Sequence, residues 1–83
     1  VRGYVRMLAN LSAIIQFLPE DLHDFVTDHA QVKIDLEERT SNGVVQGIVD
    51  GVADTGICSE DTDTQVLFRV PYRHDTLVVV LRS

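Results

Sequence analysis

Residues 32–38, VKIDLEE, alternate apolar and polar as far as Glu37 and lie between two stretches whose apolar residues recur every three or four positions. The alternation sends Val32, Ile34 and Leu36 to one side and Lys33, Asp35 and Glu37 to the other, which predicts a strand with one wetter face, near a sheet edge. Before it, Ile14, Ile15, Leu18, Leu22, Phe25 and Val26 mark one face of a helix; after it, Val44, Val45, Ile48, Val49 and Val52 mark another. Apolar runs free of proline, GYVRMLA at 3–9 and DTGIC at 54–58, read as strands on either side. Strand, helix, strand, helix, strand is the order of an α/β unit, because a crossover long enough to hold a helix returns the chain parallel to itself. The expected fold is therefore α/β, a mostly parallel sheet with flanking helices, with the 3–9 strand between those at 32–38 and 54–58.

Local signals sharpen the boundaries. Ser12 and Ser41 stand where N-caps are needed. Pro19 removes a backbone N–H from the first helix, so a kink or restart is expected near Phe17 to Pro19, with Glu20 and Asp21 in the new first turn. SEDTDTQ at 59–65 is a polar loop, and VLFRV at 66–70 and TLVVVL at 76–81 are two further strand candidates separated by Pro71 and a polar turn. Glycines at 43, 47 and 51 repeat every four residues. They fit neither a phosphate loop, which needs a Gly-Lys-Ser or Gly-Lys-Thr ending, nor a dinucleotide fingerprint. A membrane helix dimer is excluded by Gln46 and Asp50 in the same short helix. What remains is a flat stripe that lets the helix lie close on the sheet or a neighbour, with Gly51 as C-cap or last-turn residue.

Charge removes several functional classes. Thirteen acidic against seven basic residues give a net charge of -6, and the cations are scattered at 2, 6, 33, 39, 69, 73 and 82, so this segment does not contact nucleic acid directly. No apolar run nears the roughly 20 residues that span a bilayer, and a lone Cys58 cannot form an internal disulfide, so a cytoplasmic, membrane-free setting is expected. No catalytic set is visible: Ser12, Ser41 and Ser59 have no base placed by a motif, and Cys58 has no neighbouring His or Lys to lower its pKa. His23 and His29 lie six apart, about 240° around a helix, so they cannot converge on a metal. His74 reads as a turn residue. Neither metal nor cofactor is expected.

Ligands of parallel sheets meet the carboxyl ends of the strands, where helix N-termini present unpaired N–H groups. Here that edge consists of Asn10, Leu11, Ser12, Thr40, Ser41, Asn42 and Ser59. Short polar side chains and helix N-termini without a reacting group suit the holding of a small anion.

Three stretches together, LPEDLHDF at 18–25, VKIDLEE at 32–38 and GIVDGVADTGI at 47–57, resemble the effector-binding domain of LysR-type transcriptional regulators. The matching marks are Leu18, Pro19, Leu22 and Phe25; Val32, Ile34 and Leu36; and Gly51, Asp54 and Ile57, and the closing VPYRHDTLVVVLRS is similar to the family's segment ahead of its second subdomain. The resemblance implies the first subdomain of a periplasmic-binding-protein-like (type 2) fold, so residues 1–83 are expected to be a single partial domain, an incomplete fragment without the helix-turn-helix and the second subdomain. It implies a small-molecule inducer in the cleft between subdomains, with Ser12 and Ser41 touching it, Asn10, Leu11 and Asn42 beside them, and Ser59 at the end of its strand. It also implies a homo-oligomer, whose partner would face the 32–38 strand and the helix after it. Leu8 stands where the family often has glycine, and Ser59 where some members carry a residue that meets an acidic ligand, so the ligand class stays open. A transport-type solute-binding protein and an α/β enzyme fragment of the prephenate-dehydratase kind share the two-subdomain plan and are the alternatives.

Overall fold

The computed structural model describes residues 3–16, 18–73 and 76–82. In chain order the elements are β1 (Gly3–Ala9), α1 (Leu11–Gln16), α2 (Leu18–Asp28), β2 (Val32–Glu38), α3 (Ser41–Val49), β3 (Thr55–Ser59), β4 (Phe68–Arg73) and β5 (Leu77–Leu81). They build one sheet in the order β2-β1-β3-β5-β4. β1 pairs in parallel with β2 and with β3, as the strand and helix order predicts, and β2 is an edge strand. The closing strands run the other way: β5 inserts antiparallel between β3 and β4, which makes the sheet mixed.

The proline-marked break is present, because α1 ends at Gln16 and α2 begins at Leu18; Phe17 lies outside the described residues. Pro19 occupies the first turn of α2, where its missing N–H is not needed, and Glu20 and Asp21 share that turn. Ile15 departs from the predicted apolar face of this helical stretch and is 66% exposed, since α1 is too short to carry one face through to α2.

Both predicted N-caps shift toward the amino end. Asn10, not Ser12, caps α1: its Oδ1 accepts from Ala13 N at 3.1 Å, which places Ser12 in the exposed first turn. Thr40, not Ser41, caps α3, with an extended backbone and an Oγ1 that accepts from Gly43 N at 3.1 Å. A cap must itself be non-helical, and Asn10 and Thr40 are the residues held in the strand-to-helix corners. At the other end Asp50 is the C-cap of α3, and Gly51 follows it with φ +82°, a left-handed conformation that suits glycine.

Two corrections concern the closing hairpin. β4 starts two residues later than VLFRV implied, leaving Val66 exposed in a turn, and Pro71 lies inside the strand rather than between strands. β4 is the outer strand, where a residue without an N–H is tolerated, and the pairing slips at a bulge between Pro71 and Arg73.

The core has two halves, one on each sheet face. Leu8, Cys58, Val78 and Val80 meet Val44, Val45 and Ile48 of α3, while Ala9, Ile57 and Leu77 meet Ala13 of α1, with Leu22 of α2 at the margin. Val49 and Val52, predicted for the same face of α3, are exposed. The three spaced glycines serve three purposes instead of one stripe. A Cβ on Gly47 would stand 2.4 Å from Leu8 Cδ1, so Gly47 is the close helix contact; Gly43 meets only Thr40 and Arg39, and Gly51 makes the turn.

Candidate functional site

Three loops converge where β1, β2 and β3 end. Asn10 N donates to the Ile57 carbonyl at 3.1 Å, which ties the end of β1 to β3, and Arg39 N donates to the Ala9 carbonyl at 2.9 Å, which ties it to β2. The Ser41 hydroxyl joins these pieces: its Oγ accepts from Asn10 Nδ2 at 3.3 Å and from Ser59 N at 3.1 Å. Three of the residues singled out from sequence, Asn10, Ser41 and Ser59, thus form one knot. Asn10 is almost fully buried, and Ser41 and Ser59 are half-buried beneath it.

The other sequence-predicted residues surround the knot without joining it. Leu11, Ser12, Thr40 and Asn42 are exposed, Leu11 and Ser12 on the first turn of α1 and Asn42 on that of α3. Thr40 spends its hydroxyl on Gly43 N and its carbonyl on Val44 N at 2.8 Å. That leaves the N–H groups of Ser41 and Asn42 at the open end of α3, where the helix dipole is positive. Arg39, unmarked by sequence reasoning, brings a cation to the same corner, but its guanidinium reaches back along β2 to Glu37 at 2.9 Å and the Glu38 carbonyl at 2.8 Å.

The opposite end of α3 is fastened by two arginines. Arg6 Nη2 donates to the Gly51 carbonyl at 3.3 Å and Arg82 Nη2 to the Ile48 carbonyl at 3.2 Å, a favourable place for positive charge. With its C-terminus clamped to β1 and to the end of β5, α3 holds its N-terminus, and Ser41, at a fixed height over the sheet.

Cys58 is fully buried, and burial pushes its thiol pKa up, keeping it protonated and poorly nucleophilic. Among the described residues no group of His, Cys, Asp or Glu could hold a metal ion, and no helix is long and apolar enough to cross a membrane. His74 lies outside the described residues.

The family model for the LysR substrate binding domain matches residues 1–83. The chain belongs to that family. It is a family of transcriptional-regulator domains, with the periplasmic-binding-protein-like fold, and not of enzymes. Solved LysR-family structures share the fold. The cofactor-binding domain of the Cbl transcriptional regulator is 26% identical at a TM-score of 0.76, with 87% of this chain and 32% of that one covered. The BenM effector-binding domain, solved with its effector benzoate, is 20% identical at 0.74, covering 83% and 31%. HinK, a LysR family regulator from Pseudomonas aeruginosa, is 21% identical at 0.73, covering 86% and 24%. The present LysR-type domain therefore spans about a third or less of the length of these structures. No curated protein sequence matches it.

Proposed function

We propose that this LysR-type domain is the inducer-sensing part of a transcriptional regulator, and that it binds a small polar or anionic metabolite at the rim formed by Asn10, Leu11, Ser12, Thr40, Ser41, Asn42 and Ser59. The observation that carries the reading is the knot at Ser41, which holds the unpaired N–H end of α3 against the carboxyl ends of β1 and β3. An anion at that end gains from the helix dipole and from N–H groups already in place, so the site needs little reorganisation. The benzoate carried by the BenM domain makes small carboxylates the first compounds to try. Binding at the rim shifts the loops after β1, β2 and β3 together, a movement the whole regulator converts into altered transcription through its DNA-bound oligomer.

The test is a thermal-shift screen of metabolites on the whole effector region. A ligand present at about 100 times its dissociation constant adds roughly 2.7 kcal/mol of stability. Ser41→Ala is expected to weaken such a ligand by about tenfold or more, in line with the loss of an ordered polar contact and of the geometry it holds. A metabolite whose stabilisation is the same in the wild type and in Ser41→Ala places the sensing site elsewhere.

A further inference from the structure

A second concavity, of about 290 Å³, opens beside the closing hairpin and is lined by Glu60, Arg69, Pro71, Leu77 and Val78. Pro71 is the cross-strand partner of Val78, and Arg69 that of Val80, so Arg69, Pro71 and the largely buried Val78 lie on the same sheet face, while the side chain of Leu77 turns to the other. Among the described residues Arg69 supplies its only positive charge. The guanidinium donates to the Thr62 carbonyl at 3.4 Å and to the Glu60 carbonyl, which hold it in place. A guanidinium has five N–H donors, so these two bonds leave most of its capacity unused. The Glu60 carboxylate stands at 4.0 Å, with the two side chains 39% and 55% exposed. Such a long and wet ion pair is weak and readily displaced.

We propose that this concavity binds a small apolar monocarboxylate, its carboxylate on Arg69 and its hydrocarbon body on Pro71 and the exposed edge of Val78. Charge and size select that class. Among the described residues Arg69 is the one cation that lines the space, Asp61 and Asp63 follow Glu60 in the loop, and the chain carries -6 overall, so a multiply charged anion is disfavoured. The volume is at the lower end of the range of about 300 to 1,000 Å³ that ligand clefts occupy, which limits the body to a short chain or a single ring. The site is separate from the Ser41 rim, and neither depends on the other.

Hexanoate is a suitable probe, with hexanamide as its neutral counterpart, followed by amide chemical shifts of the whole chain. Hexanoate should move the resonances of Glu60, Arg69, Leu77 and Val78 and leave those of Asn10 and Ser41 in place. Hexanamide and the Arg69→Gln variant should each bind about tenfold more weakly or worse, the scale of a lost charge-assisted bond. Because Arg69 also pins its loop, Glu60→Gln provides an independent reading: removing the competing carboxylate should tighten hexanoate roughly two- to fivefold, an effect that damage to the fold cannot produce. Equal binding of acid and amide, unchanged or weaker binding by Glu60→Gln, or shifts confined to the rim would each overturn the proposal.

Discussion

The two faces of the sheet are covered unequally. On one, α3 seals its strands so well that Val44, Ile48, Cys58 and Val80 are wholly buried. On the other, α1 and α2 leave a groove of about 240 Å³ between Leu22 and Phe25 of α2 and Val5, Met7, Ile34, Ile57 and Val79 of the sheet. The cause is local. Gly47 on the helix and Gly56 on β3 remove two side chains where backbone and side chain come closest, so α3 settles directly onto Leu8 and β3. The helical segment opposite is broken before Pro19, and neither half carries a glycine that would let it settle in the same way. The tight face is also the one that carries Ser41, so precision is concentrated behind the proposed rim while slack is left on the far side.

The largest test of this contrast compares one truncation per face. Ile48→Ala empties a fully buried position and should cost about 2 to 5 kcal/mol, while Leu22→Ala, at the half-buried margin of the groove, should cost about 1 kcal/mol. Urea denaturation of both variants gives the difference directly. Similar losses would mean that the groove closes in solution and that the faces are equally packed.

A smaller effect sharpens the role of the glycines. On Gly56 a Cβ would lie 2.4 Å from Val44 Cγ1 and 2.8 Å from the Leu8 carbonyl oxygen, and the backbone cannot yield, so Gly56→Ala should cost about 2 to 3 kcal/mol. Gly47→Ala meets only the flexible tip of Leu8 and recovers about 1 kcal/mol of helix propensity, so its net cost should be near zero to 1 kcal/mol. Thermal denaturation that ranks Gly47→Ala as the more damaging variant would reverse the assignment of which glycine sets the distance.

This contrast also explains how far the sequence could be read. Alternation at Val32, Ile34 and Leu36 and the helical spacing of Val44, Val45 and Ile48 are signals of the chain's own geometry, and they locate β2, α3 and the parallel β2-β1-β3 half. The hairpin was less legible because Pro71 is acceptable only on an outer strand, and a residue's place in the sheet is not a local property. The rim residues Asn10, Ser41 and Ser59 were found through topology, which brings strand ends together whatever their side chains. Their division of labour was not, since Ser and Asn are equally good caps and only the corner geometry decides which one faces inward. The concavity at Arg69 had no sequence signal at all: an isolated arginine in LFRVP becomes notable only when the preceding loop folds back to lend it two carbonyls.

The smallest effect probes how the tight face is secured at its lower edge, where the chain leaves α3 for β3. There the Asp54 carboxylate accepts from Arg6 N at 3.0 Å and meets the Arg6 guanidinium at 3.5 Å. The backbone N–H of Arg6 first, and its side chain second, hold the Asp54 pKa below its ordinary value of 3.8. A carboxyl whose folded pKa is depressed contributes its stability fully above the unfolded value and loses it as pH falls through the folded one. The contribution of Asp54 is therefore constant from neutrality down to about pH 5 and fades below about pH 4. Asp54→Asn cannot titrate, so urea midpoints measured at pH 7, 4 and 3 should fall less steeply for the variant than for the wild type. Because the group is exposed, salt should narrow the gap between the two curves. Parallel curves at every pH would instead show that α3 is held at this end by Arg6 and Arg82 through the Gly51 and Ile48 carbonyls alone.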